Sequence, residues 1–147
     1  VRGPVGCRYL ADPRQRQYVR DGWNVTGDTY VREADGYFRY VARADDMIIS
    51  AGYNIAGPEV EDALLRHPDV VEAAVVGRPD TARGHVVVAH VVAREGAVRD
   101  PEALRAFVKS ELAPYKCPRE IHFLDALPRT ATGKLQRFKL RTDGDQQ

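Results

Sequence analysis

Apolar positions along the chain change rhythm at about Asp46. Before it, Asp28-Thr-Tyr-Val-Arg and Tyr37-Phe-Arg-Tyr-Val-Ala alternate with period two, which predicts a pair of strands. Asp35-Gly36 lies between them and predicts a two-residue type I′ turn. Pro13 to Asp21 predicts a short helix ahead of Gly22. Two strands and a turn are marginal in water unless something covers one face. This portion is therefore expected to show exposed apolar surface when it stands alone.

After Asp46 the pattern becomes a compact alternation. Met47-Ile-Ile-Ser50 predicts a strand. Gly57-Pro58 opens a helix, because proline suits the first turn and Glu59 and Glu61 suit the positive end of the helix dipole. Val60, Ala63 and Leu64 share one face of it, and it stops before Pro68. Val70 to Val76 and Val86 to Val92 are β-branched runs that predict two strands, the first ending at Gly77-Arg-Pro-Asp80. Asp100-Pro101 caps a second helix, in which Leu104, Phe107, Val108 and Leu112 recur at helical spacing until Ala113-Pro114. Glu120 to Leu124 predicts another strand and Gln136 to Arg141 a last short helix. The order β-α-β-β-α-β over roughly 95 residues predicts an α+β layer, with helices on one face of a sheet.

Composition narrows the partners. With 147 residues, 44% of them hydrophobic and 29% charged, the chain reads as a globular protein with a core. A net charge of +1 argues against a dedicated nucleic-acid binder. The charge is uneven, though: from Tyr115 to Arg141 seven cations face only Glu120 and Asp125. That surplus suits the phosphates of a small ligand, or else is a solvated basic helix end. Cys7 and Cys117 are far apart, and the four histidines show no paired-ligand pattern, so no metal site is expected. Free thiols suit a reducing compartment, here the cytoplasm. No apolar run is long enough for a membrane span and no signal peptide opens the chain. An opening Val-Arg-Gly-Pro in place of methionine reads as a piece of something longer.

Three motifs carry candidate chemistry. Pro128-Arg-Thr-Ala-Thr-Gly-Lys134 places one lysine after a glycine, in a polar loop that follows a strand. Gly22-Trp-Asn-Val-Thr-Gly-Asp28 and Ala42-Arg-Ala-Asp-Asp-Met-Ile-Ile-Ser-Ala-Gly-Tyr-Asn54 add charged and glycine positions suited to a nucleotide. Read singly, each has a plain alternative. Asp28 is then a turn aspartate bonded to its own backbone, Arg43 a surface ion-pair residue, Gly52 a turn glycine between two short strands, and Lys134 a solvated cation. Asp45 and Asp46, as adjacent carboxylates, are expected to repel, stay hydrated and mark an exposed linker.

In this order and spacing the three motifs resemble the C-terminal end of the acyl-adenylate-forming enzymes, which include acyl-CoA synthetases, aryl-acid CoA ligases, carrier-protein adenylation domains and luciferases. The resemblance runs from Val1 to Arg141. Within the superfamily, Arg2-Gly-Pro-Val-Gly-Cys-Arg-Tyr-Leu and Ser50-Ala-Gly-Tyr-Asn-Ile-Ala-Gly-Pro-Glu-Val-Glu resemble benzoate and 2-aminobenzoate CoA ligases, with medium-chain acyl-CoA synthetases next. It implies that residues 1–44 are the β-rich end of a large domain, 45–141 a mobile lid domain and 142–147 a disordered tail. Asp28 is implied to accept hydrogen bonds from the ATP ribose hydroxyls, Arg43 to reach the nucleotide as well, and Asp45 to be the hinge. Gly52 and Tyr53 are implied to border the path of CoA, and Arg119 to meet its phosphates. Cys117 departs from a position where relatives often place another contact, which thins that phosphate site. Lys134 is implied to close over the acyl carboxylate and the α-phosphate of ATP during adenylation, and to be open to acetylation.

The implied reaction joins a carboxylic acid, expected to be aromatic, to CoA through an acyl-adenylate, releasing AMP and pyrophosphate. Magnesium, the ATP phosphate loop and the acid pocket are implied to belong to the missing N-terminal domain, the partner in cis, so the isolated chain is expected to be inactive. The alternatives are a lid that docks a carrier protein and a non-catalytic interaction module.

Overall fold

The computed structural model describes Pro13 and residues 15–142. The stretch from Arg2 to Leu10, Cys7 within it, and residues 143–147 of the expected tail lie outside the described residues. The chain divides into two compact units, Val1–Asp45 and Asp46–Gln147.

In the first unit, α1 (Gln15–Tyr18) is a single turn followed by β1 (Val19–Arg20) and β2 (Trp23–Asn24), which pair antiparallel. The helix predicted over Pro13 to Asp21 is cut short because Asp21 and Gly22 both take positive φ, 48° and 76°, and turn the chain back on itself. Then β3 (Asp28–Arg32) pairs with β4 (Phe38–Arg43). Their connection is not the two-residue type I′ turn that Asp35-Gly36 predicts. Glu33 exchanges backbone hydrogen bonds with Tyr37 and Gly36, at 2.8 and 3.0 Å, so the loop is Ala34 to Gly36. Only Gly36 takes positive φ there, while the Asp35 carboxylate accepts from the Tyr37 N–H at 3.0 Å. The side chain of Asp35 thus serves the turn in place of a left-handed backbone. Tyr37 and Phe38 are 77% and 67% exposed, the apolar surface expected of an uncovered hairpin.

The second unit opens with β5 (Met47–Ser50) and β6 (Tyr53–Ala56), joined through Ala51 and Gly52 at φ 48° and 83°, the positive pair that a two-residue hairpin turn demands. After α2 (Gly57–Leu65) come β7 (Val70–Asp80), β8 (Gly84–Ala93), α3 (Pro101–Glu111), β9 (Glu120–Phe123) and α4 (Arg137–Thr142). Asp100 accepts from the N–H groups of Glu102 and Ala103, so the predicted cap starts α3. The strands form one sheet in the order β6-β5-β8-β7, with β9 parallel to β8.

Strand β7 runs past Gly77 to Asp80, farther than the sequence predicts, and includes Pro79. It pairs only with β8, so the missing N–H of Pro79 falls on an open edge and costs no ladder bond. Helices α2 and α3 cover one face, burying Val60, Leu64, Leu104 and Val108 against Val75, Val87, Ala89 and Val91. Helices on that face alone would leave the sheet half covered. The β8 run is apolar on both sides, and Val76, Val86 and Val88 pack under Leu127 and Leu140 of the C-terminal segment. Among the described residues no helix is long and apolar enough to cross a membrane.

Candidate functional site

The first unit gathers its charged candidates around one guanidinium. The β3–β4 register sets Asp28 opposite Arg43. Arg43 Nη1 donates to Asp28 Oδ1 at 3.0 Å and to the Thr26 carbonyl at 2.8 Å, while its Nε lies 3.4 Å from Asp45 Oδ1. Gly27 makes this possible: a Cβ there would stand 3.0 Å from Arg43 Nη2, and its φ of +73° is one side chains rarely adopt. Asp28 is not the self-bonded turn residue of the plain reading. Its own N–H goes to Thr26 Oγ1 at 3.2 Å, and its carboxylate is held by Arg43 and, at 3.4 Å, by the Tyr30 hydroxyl. The hydrogen bond to Asp28 raises the Arg43 pKa above the ordinary arginine value, burial partly opposes this, and the Asp45 charge adds to it. This cation is fixed in place.

Asp45 and Asp46 are not equally hydrated, contrary to the expectation from adjacent charges. Asp45 is 70% exposed and leans on Arg43, whereas Asp46 is 19% exposed and pairs with Arg141 of α4 at 2.6 Å. Each carboxylate is held by an arginine of its own compact unit, and the chain divides between them.

Lys134 stands in a loop that closes on itself. Thr130 N–H donates to Lys134 O, and Gly133 N–H to Thr130 O, both at 2.9 Å. Lys134 N–H in turn donates to Thr130 Oγ1 at 3.0 Å. Gly133 supplies the positive φ of 83° that brings these groups round. The backbone of Lys134 is therefore ordered, but its side chain is exposed and its ammonium makes no ion pair among the described residues.

Two of the three CoA candidates line neighbouring clefts. Tyr53 and Arg119 line one of about 100 Å³ together with Ser50, Ala51, Arg83, Tyr115 and Cys117. Gly52 lies in the turn between Ala51 and Tyr53, and a Cβ added to it would meet nothing within 4 Å. The plain turn role is thus real, and among the described residues no close approach explains the glycine. Tyr53 stacks on Tyr115 at 4.3 Å between centroids, and Lys116, beside it, pairs with Glu59 at 2.5 Å. A second cleft of about 280 Å³ shares Cys117 and Arg119 and adds Arg105 and Lys109. Arg83 and Lys109, which sequence reasoning missed, bring further cations to the clefts that Cys117 lines. Burial raises the Cys117 pKa above the ordinary thiol value, against the opposing pull of Lys109 and then Arg105. Among the described residues no cluster of His, Cys, Asp or Glu could hold a metal ion.

A family model described as the AMP-binding enzyme C-terminal domain matches residues 59–134. The chain is 51% identical over 136 residues to a sulfoacetate–CoA ligase of Cupriavidus necator, covering 92% of this chain and 27% of that protein. In structure it is similar to ATP-bound MatB from Rhodopseudomonas palustris, with a TM-score of 0.81 and 34% identity over 88% of this chain and 26% of the other. It is also similar to the anthranilate CoA ligase AuaEII in complex with anthranoyl-AMP, with a TM-score of 0.78 and 38% identity over the same 88% and 26%. The chain therefore spans about a quarter of the length of the relatives it matches.

Proposed function

We propose, from the premise that this chain belongs to the AMP-binding enzyme C-terminal domain family, that it is the C-terminal part of an AMP-forming carboxylic acid–CoA ligase. The observation that carries the reading is Lys134, whose backbone is ordered and whose ammonium makes no ion pair among the described residues. Adenylation brings a carboxylate against the α-phosphate of ATP, so two anions must approach. An ammonium between them offsets that repulsion and stabilises the charge of the pentacoordinate transition state. A lysine already held in an ion pair could do this only by first breaking it. Asp28, an acceptor on both oxygens, suits the ribose hydroxyls, and Arg43 holds it in orientation.

The thioester step needs a different face. CoA carries phosphates and a long thiol arm, and the clefts around Tyr53 and Arg119 offer Arg83, Lys109 and Arg119, cations without an ion pair among the described residues, beside an aromatic stack. We assign this face to CoA. One small domain serves both half-reactions by turning about Asp45, where a few residues absorb the backbone change. By the same resemblance, magnesium belongs to the rest of the enzyme. The upstream part also holds the phosphate loop and acid pocket, so turnover needs the whole enzyme. An aromatic acid is the substrate class favoured by the resemblance to benzoate ligases and by the likeness to the anthranilate CoA ligase.

The test uses the intact enzyme. Lys134→Ala is expected to lower acid-dependent ATP–pyrophosphate exchange about 10²–10³-fold, the usual cost of one preorganised electrostatic group. Thioester formation from preformed adenylate should survive. Equal loss in both steps would overturn the division of labour, and stronger exchange with sulfoacetate than with benzoate or 2-aminobenzoate would overturn the aromatic assignment.

A further inference from the structure

The hydrogen bonds inside the lysine loop set its shape but not its direction from the sheet. Leu127 and Leu135, at its ends, pack against the sheet, and one side chain ties its tip there as well. Arg129 Nη1 donates to the Gly133 carbonyl, the peptide oxygen immediately before Lys134, at 2.9 Å. Its Nη2 donates to the carboxylate of Glu72. Glu72 is rooted in β7, beside the register shift between Val70 and Glu72 that lets Val71 bulge out of the ladder. The guanidinium is thus a strut from the sheet to the residue that precedes the lysine.

We propose that Arg129 and Glu72 are positioning residues for Lys134, which rests on the reading of Lys134 as the adenylation lysine. Arginine suits the task because its planar fork presents separate donors in fixed directions, one for each partner. A lysine at 129 could reach either partner but would pivot on a flexible stem. The ion pair is half exposed, 46% for Arg129 and 36% for Glu72, so it adds little to stability. Position is another matter, because a catalytic group displaced by about 1 Å can lose about 10²-fold in rate. A contact too weak to matter for folding can therefore matter for the reaction.

The experiment measures both half-reactions of the intact enzyme in Arg129→Gln, Arg129→Lys, Glu72→Leu and the swapped pair Arg129→Glu/Glu72→Arg. Amide exchange of the 147-residue chain accompanies it. Arg129→Gln and Glu72→Leu are expected to lower kcat for pyrophosphate exchange about tenfold, less than Lys134→Ala, with Arg129→Lys between them and wild type. Thioester formation from preformed adenylate stays within about twofold, the behaviour of interactions used in one step only. The swapped pair restores an ion pair but not the donor to the Gly133 carbonyl, so it stays defective. Amides of Gly133 and Lys134 exchange faster in Arg129→Gln while those of α3 do not change. Full activity in Arg129→Gln would reduce the contact to an ordinary surface ion pair, and recovery in the swapped pair would overturn the role given to the bond to the Gly133 carbonyl. If Lys134→Ala itself leaves exchange intact, the reading of the lysine has failed. The amide measurement then decides by itself whether Arg129 holds the loop.

Discussion

Arg43 and Lys134 carry the same charge and are built into opposite surroundings. Arg43 is bonded to Asp28, to the Thr26 carbonyl and to Asp45, and Gly27 is hollowed out to admit it. Lys134 has an ordered backbone and a side chain with no ion pair among the described residues. A cation that organises neighbouring acceptors gains from being locked. One that must meet an anion during a reaction gains from being left unsatisfied, because no existing bond has to break first. On the proposed reading the difference separates scaffold from reagent, within two groups that composition would count alike.

The comparison breaks most visibly if the two substitutions behave alike. In the intact enzyme Arg43→Gln is expected to raise KM for ATP about tenfold to a hundredfold, the worth of charged hydrogen bonds at about 1.5–3 kcal/mol. It should also loosen the β3–β4 hairpin, read as faster exchange of the Ala44 amide that donates to the Gly27 carbonyl. Lys134→Ala should leave the thermal stability of the chain within about 0.5 kcal/mol, as an exposed side chain with no ion pair among the described residues implies. A clear loss of stability there would mean that Lys134 has a structural partner after all. Gly133→Ala is a milder probe. An added Cβ would meet nothing within 4 Å, so the cost is conformational and comes from the φ of +83°. It should amount to about 1–2 kcal/mol, measured by thermal or denaturant unfolding, with several-fold slower adenylation. No change in either would show that the loop does not need its left-handed residue.

Elements whose causes are local could be read in advance. The Asp100 cap, the Val60, Ala63 and Leu64 face of α2, and the β-branched runs of β7 and β8 each depend on residues within one turn or one strand. Features that depend on a partner could not. Pro79 stays in a strand only because β7 lies at the sheet edge, and Leu127 and Leu140 are buried only because β8 is apolar on both faces. The site follows the same rule. Asp28, Arg43 and Lys134 sit in motifs and were named from them. Arg83 and Lys109 sit in none, and the fold alone brings them to the walls around Cys117.

Cys117 offers the smallest test of the contrast between locked and free cations, and it can be read without any substrate. Burial raises its pKa, while Lys109 and then Arg105 lower it and Glu102 raises it. Arg105 is paired with Glu102 at 2.7 Å, and Glu102 acts on the thiol in the opposite sense, so that pair together lowers the pKa less than Arg105 would alone, whereas Lys109 makes no ion pair among the described residues. In a Cys7→Ser background, titration of the thiolate absorbance should therefore move further upward in Lys109→Met than in Arg105→Met. The sign of the linkage follows. A thiol whose pKa is raised on folding contributes stability that is present below the free-thiol value of about 8.5 and is lost as pH rises through the folded value. Unfolding measured across that range should show a steeper alkaline loss in the parent than in Cys117→Ala, and steeper again in Lys109→Met. If Arg105→Met moves the thiol as far as Lys109→Met, pairing does not mute a cation here, and the distinction drawn between Arg43 and Lys134 loses its electrostatic basis.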